Sequence, residues 1–320
     1  MTDMQRVPVV DLGLSAGEAN IDQVAQQIDA AMKISGFFYI CNHGIHPSVL
    51  GQLVEQTGQF FDAPNAVREA IGIDQHNRGF LACGEAKMLG ASEHDLKEVF
   101  FFGREIDGDD PDFLAGVALT APNQWPSDLH QFRPAVLEYL NAASTAGNTV
   151  LCAIARMLGV NDDFFESRYT RPMARGQLNH FPAPGVNARP NQYGVAAHTD
   201  FGAITLLYQH TPGLEVFACN NKWVAVPPVS NTLVVNIGDL LERWTNGQLP
   251  STRHRVRNQT GASRYSIAIF YDPSPTAIVD PAHLGFSQSP FEPIGAADYI
   301  LSRSQQVFAQ FDGAIRKTNQ

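Results

Sequence analysis

The sequence predicts an α+β fold in which helices flank one closed or double-sheet β core. Helical periodicity recurs in the first half of the chain, at residues 21–35, 48–61 and 129–158. From about residue 176 onward the pattern changes to short apolar runs separated by Pro, Gly and Asn. Regularly spaced short strands favour a closed or double-sheet architecture, because such folds need many turns and leave few exposed sheet edges.

The chain begins as strand, helix, strand. Residues 7–12 alternate beside a proline, and residues 21–35 carry apolar side chains at helical spacing. Gly36 ends that helix, and an aromatic run over 37–41 precedes a turn at 42–44, as expected for a buried strand.

The remaining elements follow from the same two periodicities. Residues 162–167 and 296–315 have helical patterns, and residues 98–103 form a strand within a loop-rich connection. We find no repeat and no low-complexity linker, so one domain is expected. The predicted core strands are 177–181, 195–198, 204–209, 214–218, 233–237, 254–256 and 265–271.

Composition and charge limit the function classes. A formal net charge of -10 and a pI near 5.4 argue against a nucleic-acid or anionic-membrane surface, so a small-molecule partner is expected. We find no signal-peptide pattern and no run near the roughly 18 apolar residues of a membrane span, so we expect a cytoplasmic protein. The well-separated cysteines predict buried, reduced thiols rather than disulfides or zinc ligands: Cys41, Cys83, Cys152 and Cys219.

A candidate metal site begins with His198-Thr199-Asp200, which follows an apolar run. Because side chains alternate along a strand, His198 and Asp200 point to one side. His254, at the start of another predicted strand, completes two imidazoles and one carboxylate, a set that leaves open positions on an octahedral metal. A His-x-Asp pair alone is weak evidence, since such tripeptides arise by chance.

The second candidate feature is Arg264-Tyr265-Ser266, about ten residues beyond His254. Strand alternation puts the guanidinium and the hydroxyl on one side, where the planar fork of Arg264 matches a carboxylate. A carboxylate anchor beside a metal with open positions suits a 2-oxoacid. Taken alone, Arg264 would more simply pair with a surface acid.

These motifs and others follow one another in an order similar to that of a known family, the iron(II) and 2-oxoglutarate-dependent oxygenases of the isopenicillin N synthase-like branch. The resemblance spans nearly the whole chain. The matching segments are 7–11, 36–45, 60–61, 77–80, 95–98, 125–126, 179–182, 198–202, 236–239, 251–256 and 264–266.

The resemblance implies a distorted double-stranded β-helix, or jelly roll, within a single oxygenase domain over 1–320. Its parts would be a helical and strand-containing region to about 175, a metal-binding core over about 176–275 and a helix over about 296–315. The family's iron(II) ligands correspond to His198, Asp200 and His254, which would be the catalytic centre. Arg264 and Ser266 would bind 2-oxoglutarate, and dioxygen would oxidise a C–H bond of a small molecule with release of succinate and carbon dioxide.

Strand alternation adds candidates for the pocket. Gln177, Asn179 and Phe181 share a face that we expect to be the barrel interior, with Asn179 near the co-substrate. The family often has Tyr where this chain has Phe181, and simple packing of that ring is an alternative. Phe270 shares the face of Arg264, and Phe80 is a further aromatic candidate for the substrate wall, as are Phe100 and Phe102.

Some alternatives stay open. Asp95, Lys97 and Glu98 are interpreted as a charged network near the entrance, on a solvated face. The reaction can be hydroxylation, desaturation or ring formation. Isopenicillin N synthase itself keeps the Arg-x-Ser motif, so a 2-oxoglutarate-independent oxidase is the first alternative, and an inactive ligand-binding relative is the second.

Overall fold

The computed structural model describes residues 7–17, 19–183, 193–218, 221–258 and 261–307. Within these ranges, none of the helices is long and apolar enough to cross a membrane. The α-helices are α1 (Ile21–Met32), α2 (Pro47–Asp62), α3 (Asn65–Glu69), α4 (Pro111–Leu114), α5 (Phe132–Met157), α6 (Asp239–Trp244) and α7 (Ala296–Ser304).

Strands from both halves of the chain form two main sheets. The larger sheet has the order β1-β2-β10-β7-β12-β5-β4-β3, and the smaller has the order β6-β11-β8-β9. The strands are β1 (Val9–Asp11), β2 (Phe37–Cys41), β3 (Gly79–Leu81), β4 (Glu98–Gly103), β5 (Met173–Phe181), β6 (Val195–His198), β7 (Ile204–Gln209), β8 (Leu214–Phe217), β9 (Trp223–Ala225), β10 (Leu233–Ile237), β11 (His254–Val256), β12 (Arg264–Asp272), β13 (Ile278–Val279) and β14 (Ile294–Gly295).

The two sheets face one another. Phe37 and Tyr39 of β2, with Val234 of β10, pack against Leu214 and Val216 of β8 in one buried cluster. Because alternate side chains of each strand enter this space, the opposite side chains of the large sheet are left for the helices. The α+β class with a jelly-roll core is therefore confirmed.

Helix α5 covers the outer face of the large sheet. Its Gly147 lies so close to β12 that a Cβ there would be 2.8 Å from the Tyr271 ring. The Tyr271 hydroxyl donates to Asn148 Oδ1 at 2.7 Å, which fixes the helix on the sheet. The interior between helix and sheet is aromatic, and Phe60 of α2 stacks on Phe132 of α5 with centroids 4.9 Å apart.

Several predicted elements agree with the structure within a residue or two, and others need correction. The 162–167 segment is not an α-helix: turns lead into a single 3-10 turn at Glu166–Arg168, because Phe164 and Phe165 turn inward against Trp244. Strand β5 begins four residues before the predicted 177. The last helix ends at Ser304, and 308–315 lie outside the described residues.

The cysteines are less uniform than predicted. Cys41 and Cys152 are free and half-buried, but Cys83 is free and exposed, so the expectation of burial is wrong for Cys83. It lies in the turn after β3, which leaves its side chain open to solvent. Cys219 lies outside the described residues.

Candidate metal centre and co-substrate pocket

Three predicted ligands meet at one edge of the smaller sheet. His198 ends β6 and is the cross-strand partner of His254 at the start of β11. Asp200 follows two residues after His198, and its Oδ1 lies 3.8 Å from His198 Nε2 and 3.6 Å from His254 Nε2. One ligand atom from each residue lies within 4.8 Å of the others, as bonds of about 2.0–2.2 Å to a shared metal require.

The second carboxylate oxygen of Asp200 accepts hydrogen bonds from other side chains of the protein. Asp200 Oδ2 accepts hydrogen bonds from Thr205 Oγ1 at 2.5 Å and from Asn236 Nδ2 at 2.8 Å. Thr205 and Asn236 are paired residues of β7 and β10, so the large sheet orients the carboxylate. Such outer partners leave Oδ1 free to face the two imidazoles and tune it as a ligand.

Backbone carbonyls orient both imidazoles. His198 Nδ1 lies 2.8 Å from the Ala196 carbonyl oxygen, and His254 Nδ1 lies 3.2 Å from that of Thr252. In each ring, Nδ1 therefore carries the proton and Nε2 presents a lone pair. The edge of the Phe37 ring packs on His254, with centroids 5.4 Å apart.

Burial favours the metal-binding, neutral form of His198. Burial lowers the pKa of His198, and His254 lowers it further, although Asp200 acts in the opposite direction. Burial would raise the pKa of Asp200, but the two histidines and the hydrogen bonds from Asn236 and Thr205 together bring it below its usual value. Neutral imidazoles and an ionised carboxylate are the forms that bind a divalent cation.

Arg264 is a fully buried cation in the same pocket. Its guanidinium donates to Ser266 Oγ at 3.2 Å, to the Thr211 carbonyl at 3.3 Å and to Gln209 Oε1 at 3.5 Å. Burial lowers its pKa to about 10, which keeps it charged at neutral pH. No carboxylate in the described part of the chain forms an ion pair with it, so its charge is left for an anionic ligand.

The pocket lies between the sheets, and its empty space including the open mouth is about 940 Å³. Register explains its lining: Asn179 pairs with Ser266, Gln177 with Ala268, and Arg175 with Phe270. Alternation turns all of these side chains to one face, and the pocket is lined by the predicted Gln177, Asn179, Phe181 and Phe270 together with the triad, Arg264 and Ser266.

Asn179 and Phe181 both lie in the part of the pocket beside Arg264 and Ser266. Asn179 Nδ2 donates to the Ser266 carbonyl at 3.4 Å, whereas the buried Oδ1 has no hydrogen-bond partner among the described residues. The guanidinium carbon of Arg264 lies 4.7 Å from the centre of the Phe181 ring. Phe181 therefore supplies a cation–π contact and shields Arg264 from water. The unpartnered amide oxygen of Asn179 is left to accept a hydrogen bond from a bound ligand.

The structure corrects the placement of Phe80, which does not line the pocket. Phe80 pairs with Phe100 across β3 and β4, and Phe100 pairs with Leu178, which puts all three on the outer face. The Phe80 ring packs 6.0 Å from Phe60, with the Arg68 guanidinium 5.1 Å above it. Phe100 and Phe102 occupy the same helix-facing core, because the parity of their strand excludes them from the pocket.

The predicted solvated network at 95–98 is also corrected. Asp95 and Lys97 are only 1% and 4% exposed, and Lys97 lines the pocket. Glu98 instead faces the helices, where it binds Arg68 at 3.0 Å and His180 at 2.9 Å. His180 thus points away from the pocket and is half-buried. Val99 lies on the pocket face of β4, and counting back two positions along the chain would have predicted that Lys97 also faces the pocket.

Sequence reasoning also missed Arg175, Thr205 and Asn236 as pocket residues. Arg175 pairs with the fully buried Asp272 at 2.7 Å, and its guanidinium lies over Phe270. The available signal was the same for all three, because each is a polar residue on the inward parity of its strand.

Comparisons with known proteins agree with this site. Residues 7–128 match the family described as non-haem dioxygenase in morphine synthesis N-terminal, and residues 173–273 match the 2OG-Fe(II) oxygenase superfamily. The 2-oxoglutarate-dependent dioxygenase thnC of Trichoderma harzianum is 34% identical over 274 residues, covering 83% of this chain and 84% of thnC. The dioxygenase citB of Monascus ruber is 36% identical over 283 residues, covering 83% and 84%.

A solved structure shares the fold over nearly the full length. A full-length Neurospora crassa protein, crystallised in complex with alpha-KG and thymine, superposes with a TM-score of 0.82 at 27% identity, covering 95% of this chain and 97% of that protein. The chain belongs to the 2OG-Fe(II) oxygenase superfamily and is an iron(II)- and 2-oxoglutarate-dependent dioxygenase. The predicted fold, reaction class, iron(II) and 2-oxoglutarate are thereby confirmed, and the comparisons support the dioxygenase rather than the 2-oxoglutarate-independent oxidase.

Proposed function

We propose that His198, Asp200 and His254 hold the iron(II), and that the enzyme oxidises a C–H bond of a small organic substrate in the pocket beside them. The observation that carries this assignment is the free Asp200 Oδ1, 3.6 and 3.8 Å from two Nε2 atoms. Two imidazoles and one carboxylate on one face suit iron(II) with open positions. When bound, the iron supplies activation of dioxygen, coupled to conversion of 2-oxoglutarate into succinate and carbon dioxide.

The co-substrate site in this proposal is formed by Arg264, Ser266 and Asn179. Arg264 and the Ser266 hydroxyl bind the distal carboxylate of 2-oxoglutarate, since the guanidinium is buried without an acidic partner among the described residues. Asn179 pairs with Ser266 across the strands and lines the same pocket, so it contacts the co-substrate there. Phe181 excludes water from the Arg264 contact, which strengthens the ionic hydrogen bonds.

The substrate is oriented by the remaining inward side chains. Gln177 offers a half-buried amide and Phe270 an aromatic wall, with Ala268 leaving space between them. Fixing the substrate within bonding distance of the reactive position is the main contribution of these groups. We propose hydroxylation as the outcome.

The domain organisation is also a proposal. We propose that residues 1–320 act as one oxygenase domain, because β2 and β4 from the first part pair directly with β10 and β5 of the core, and β1 and β3 extend the same sheet at its two edges. The cytoplasmic location and the absence of a nucleic-acid partner stay predictions.

A titration tests this function. Iron(II) and then 2-oxoglutarate are added to the metal-free protein without oxygen, and the metal-to-ligand absorption band is recorded. We expect a band that saturates at one equivalent of each, followed by succinate formation when oxygen is admitted. A protein that binds neither, or that forms no succinate, would reject the proposal.

A further inference from the structure

Lys97 is a buried cation on the pocket wall that the proposed function leaves without a role. It lies one residue before β4, and alternation puts it on the face of Val99, whose cross-strand partner is Asn179. The side chain therefore points to the cavity that holds the triad, and it is 4% exposed.

The Lys97 ammonium has no polar contact within the described part of the chain. Among those residues it forms neither an ion pair within 4.0 Å nor a hydrogen bond. Asp95 and Asp200 act on it only through longer-range attraction. A buried, unmatched ammonium is costly, so an anionic partner from outside the chain would be bound favourably.

The other charges of the pocket are already matched. Arg175 is neutralised by Asp272, and Arg264 by the distal carboxylate of the co-substrate. Asp200 and the adjacent keto and carboxylate groups at one end of 2-oxoglutarate would face the iron(II). Of the positively charged side chains that line this pocket, Lys97 is therefore the one that neither an acidic residue of the described chain nor the co-substrate contacts.

We propose that Lys97 binds a carboxylate of the primary substrate, so that the enzyme oxidises an organic acid whose apolar part extends toward the iron. The apolar lining fits the rest of such a molecule, because Leu207, Leu214, Val195 and Val256 present aliphatic surface beside the triad. The inference rests on the proposed function, since it uses the iron and co-substrate positions to define which charge is free.

Asp95 is the structural alternative as the partner of Lys97. Its Oδ1 accepts the Ala196 N–H at 3.0 Å, and its buried Oδ2 has no hydrogen-bond partner in the described ranges. Asp95 is not part of the pocket lining, and its carboxylate is more than 4.0 Å from the ammonium. It would therefore compete weakly with a substrate carboxylate for Lys97.

Matched pairs of acids and amides test the proposal. The anaerobic complex with iron(II) and 2-oxoglutarate is unfolded thermally with benzoate or benzamide, phenylacetate or phenylacetamide, and 3-phenylpropionate or 3-phenylpropionamide. We expect at least one acid to raise the unfolding midpoint while its amide does not. In Lys97→Met, which keeps an unbranched apolar side chain, the acid should bind about 10- to 100-fold more weakly, as loss of one ionic hydrogen bond implies.

Two further variants make the result decisive. Lys33→Met removes an exposed lysine directly after α1 and should leave the acid preference intact. Asp95→Asn removes the competing charge and should strengthen acid binding. The proposal is overturned if no acid stabilises the wild-type complex, if amides bind equally well, or if Lys97→Met keeps the preference. The absorption band of each sample shows separately whether iron and 2-oxoglutarate are bound, so failure of the proposed function is recognised independently.

Discussion

His198 and His254 are direct partners across the antiparallel strands β6 and β11, with ring centroids 4.3 Å apart. The register of two short strands therefore sets the spacing of the two imidazoles before any metal binds. Asp200 lies opposite both rings and is oriented from the other sheet through Thr205 and Asn236. The proposed metal centre thus joins the two sheets of the core.

Removal of one imidazole should abolish iron retention. His254→Ala leaves two protein ligands, and a three-ligand site has no spare donor. Iron is quantified after anaerobic reconstitution and desalting, with His283→Ala at an exposed position as the matched control. Stoichiometric iron in His254→Ala would show that His254 is not a ligand.

Thr205→Val tests the orientation of Asp200. The change keeps the shape but removes the hydroxyl that donates to Oδ2 at 2.5 Å. Loss of one outer partner should weaken iron binding by about 10- to 100-fold while leaving the fold intact. Competition with a chelator measures the affinity. An affinity equal to that of the wild-type protein would mean that Asn236 alone orients the carboxylate.

Asn179→Ala should uncouple co-substrate consumption from substrate oxidation. A misplaced ligand lets 2-oxoglutarate be consumed without product, because orientation at the metal is lost. The ratio of succinate to oxidised product should rise, with the unfolding midpoint nearly unchanged. Normal coupling together with a midpoint several degrees lower would instead make Asn179 a structural residue.

Asp95 predicts a pH-dependent difference in stability. Burial raises its pKa to about 6, against the attraction of Lys97 and the hydrogen bond from Ala196. Between about pH 4 and 6 the folded state holds a proton that the unfolded state has lost, so ionisation destabilises the fold as pH rises. Asp95→Asn should therefore gain stability relative to wild type, by on the order of 1–3 kcal/mol at pH 7.

Denaturant titrations of both proteins at pH 4.5 and 7 measure this difference. A difference that shrinks as pH rises would mean that Asp95 is stabilised as an anion, with Lys97 as its partner, and a constant difference would mean that folding leaves the pKa of Asp95 unshifted. That result would also weaken the case for a substrate carboxylate on Lys97.

Alternation along strands made the metal and co-substrate residues predictable. Two pairs of ligand-binding candidates are each two positions apart on a strand or its direct continuation, namely His198 with Asp200 and Arg264 with Ser266. The shared face of each pair therefore follows from strand alternation alone. The start of another predicted strand indicated His254 as the third ligand, and the family resemblance then supported that choice.

Phe80 and Lys97 show where sequence alone does not suffice. Strand β4 is apolar on both faces, so periodicity does not tell which of its side chains meet the helices and which meet the pocket. Phe80 lies on the same face as its cross-strand partner in β4, and this strand pairing cannot be derived from the local sequence pattern. Lys97 was predicted to lie on a solvated face because charged side chains are rarely buried, yet its position before β4 leaves it only 4% exposed.

Arg264→Lys tests the central claim most directly, because it keeps the charge and removes the planar fork. 2-Oxoglutarate is titrated into the anaerobic iron(II) complex and followed by the metal-to-ligand absorption band, with Arg133→Lys at a surface ion pair as the control. The account predicts that Arg264→Lys weakens 2-oxoglutarate at least about tenfold, as expected for loss of a bidentate ionic contact, while iron affinity is unchanged. An unchanged 2-oxoglutarate affinity in Arg264→Lys would contradict it.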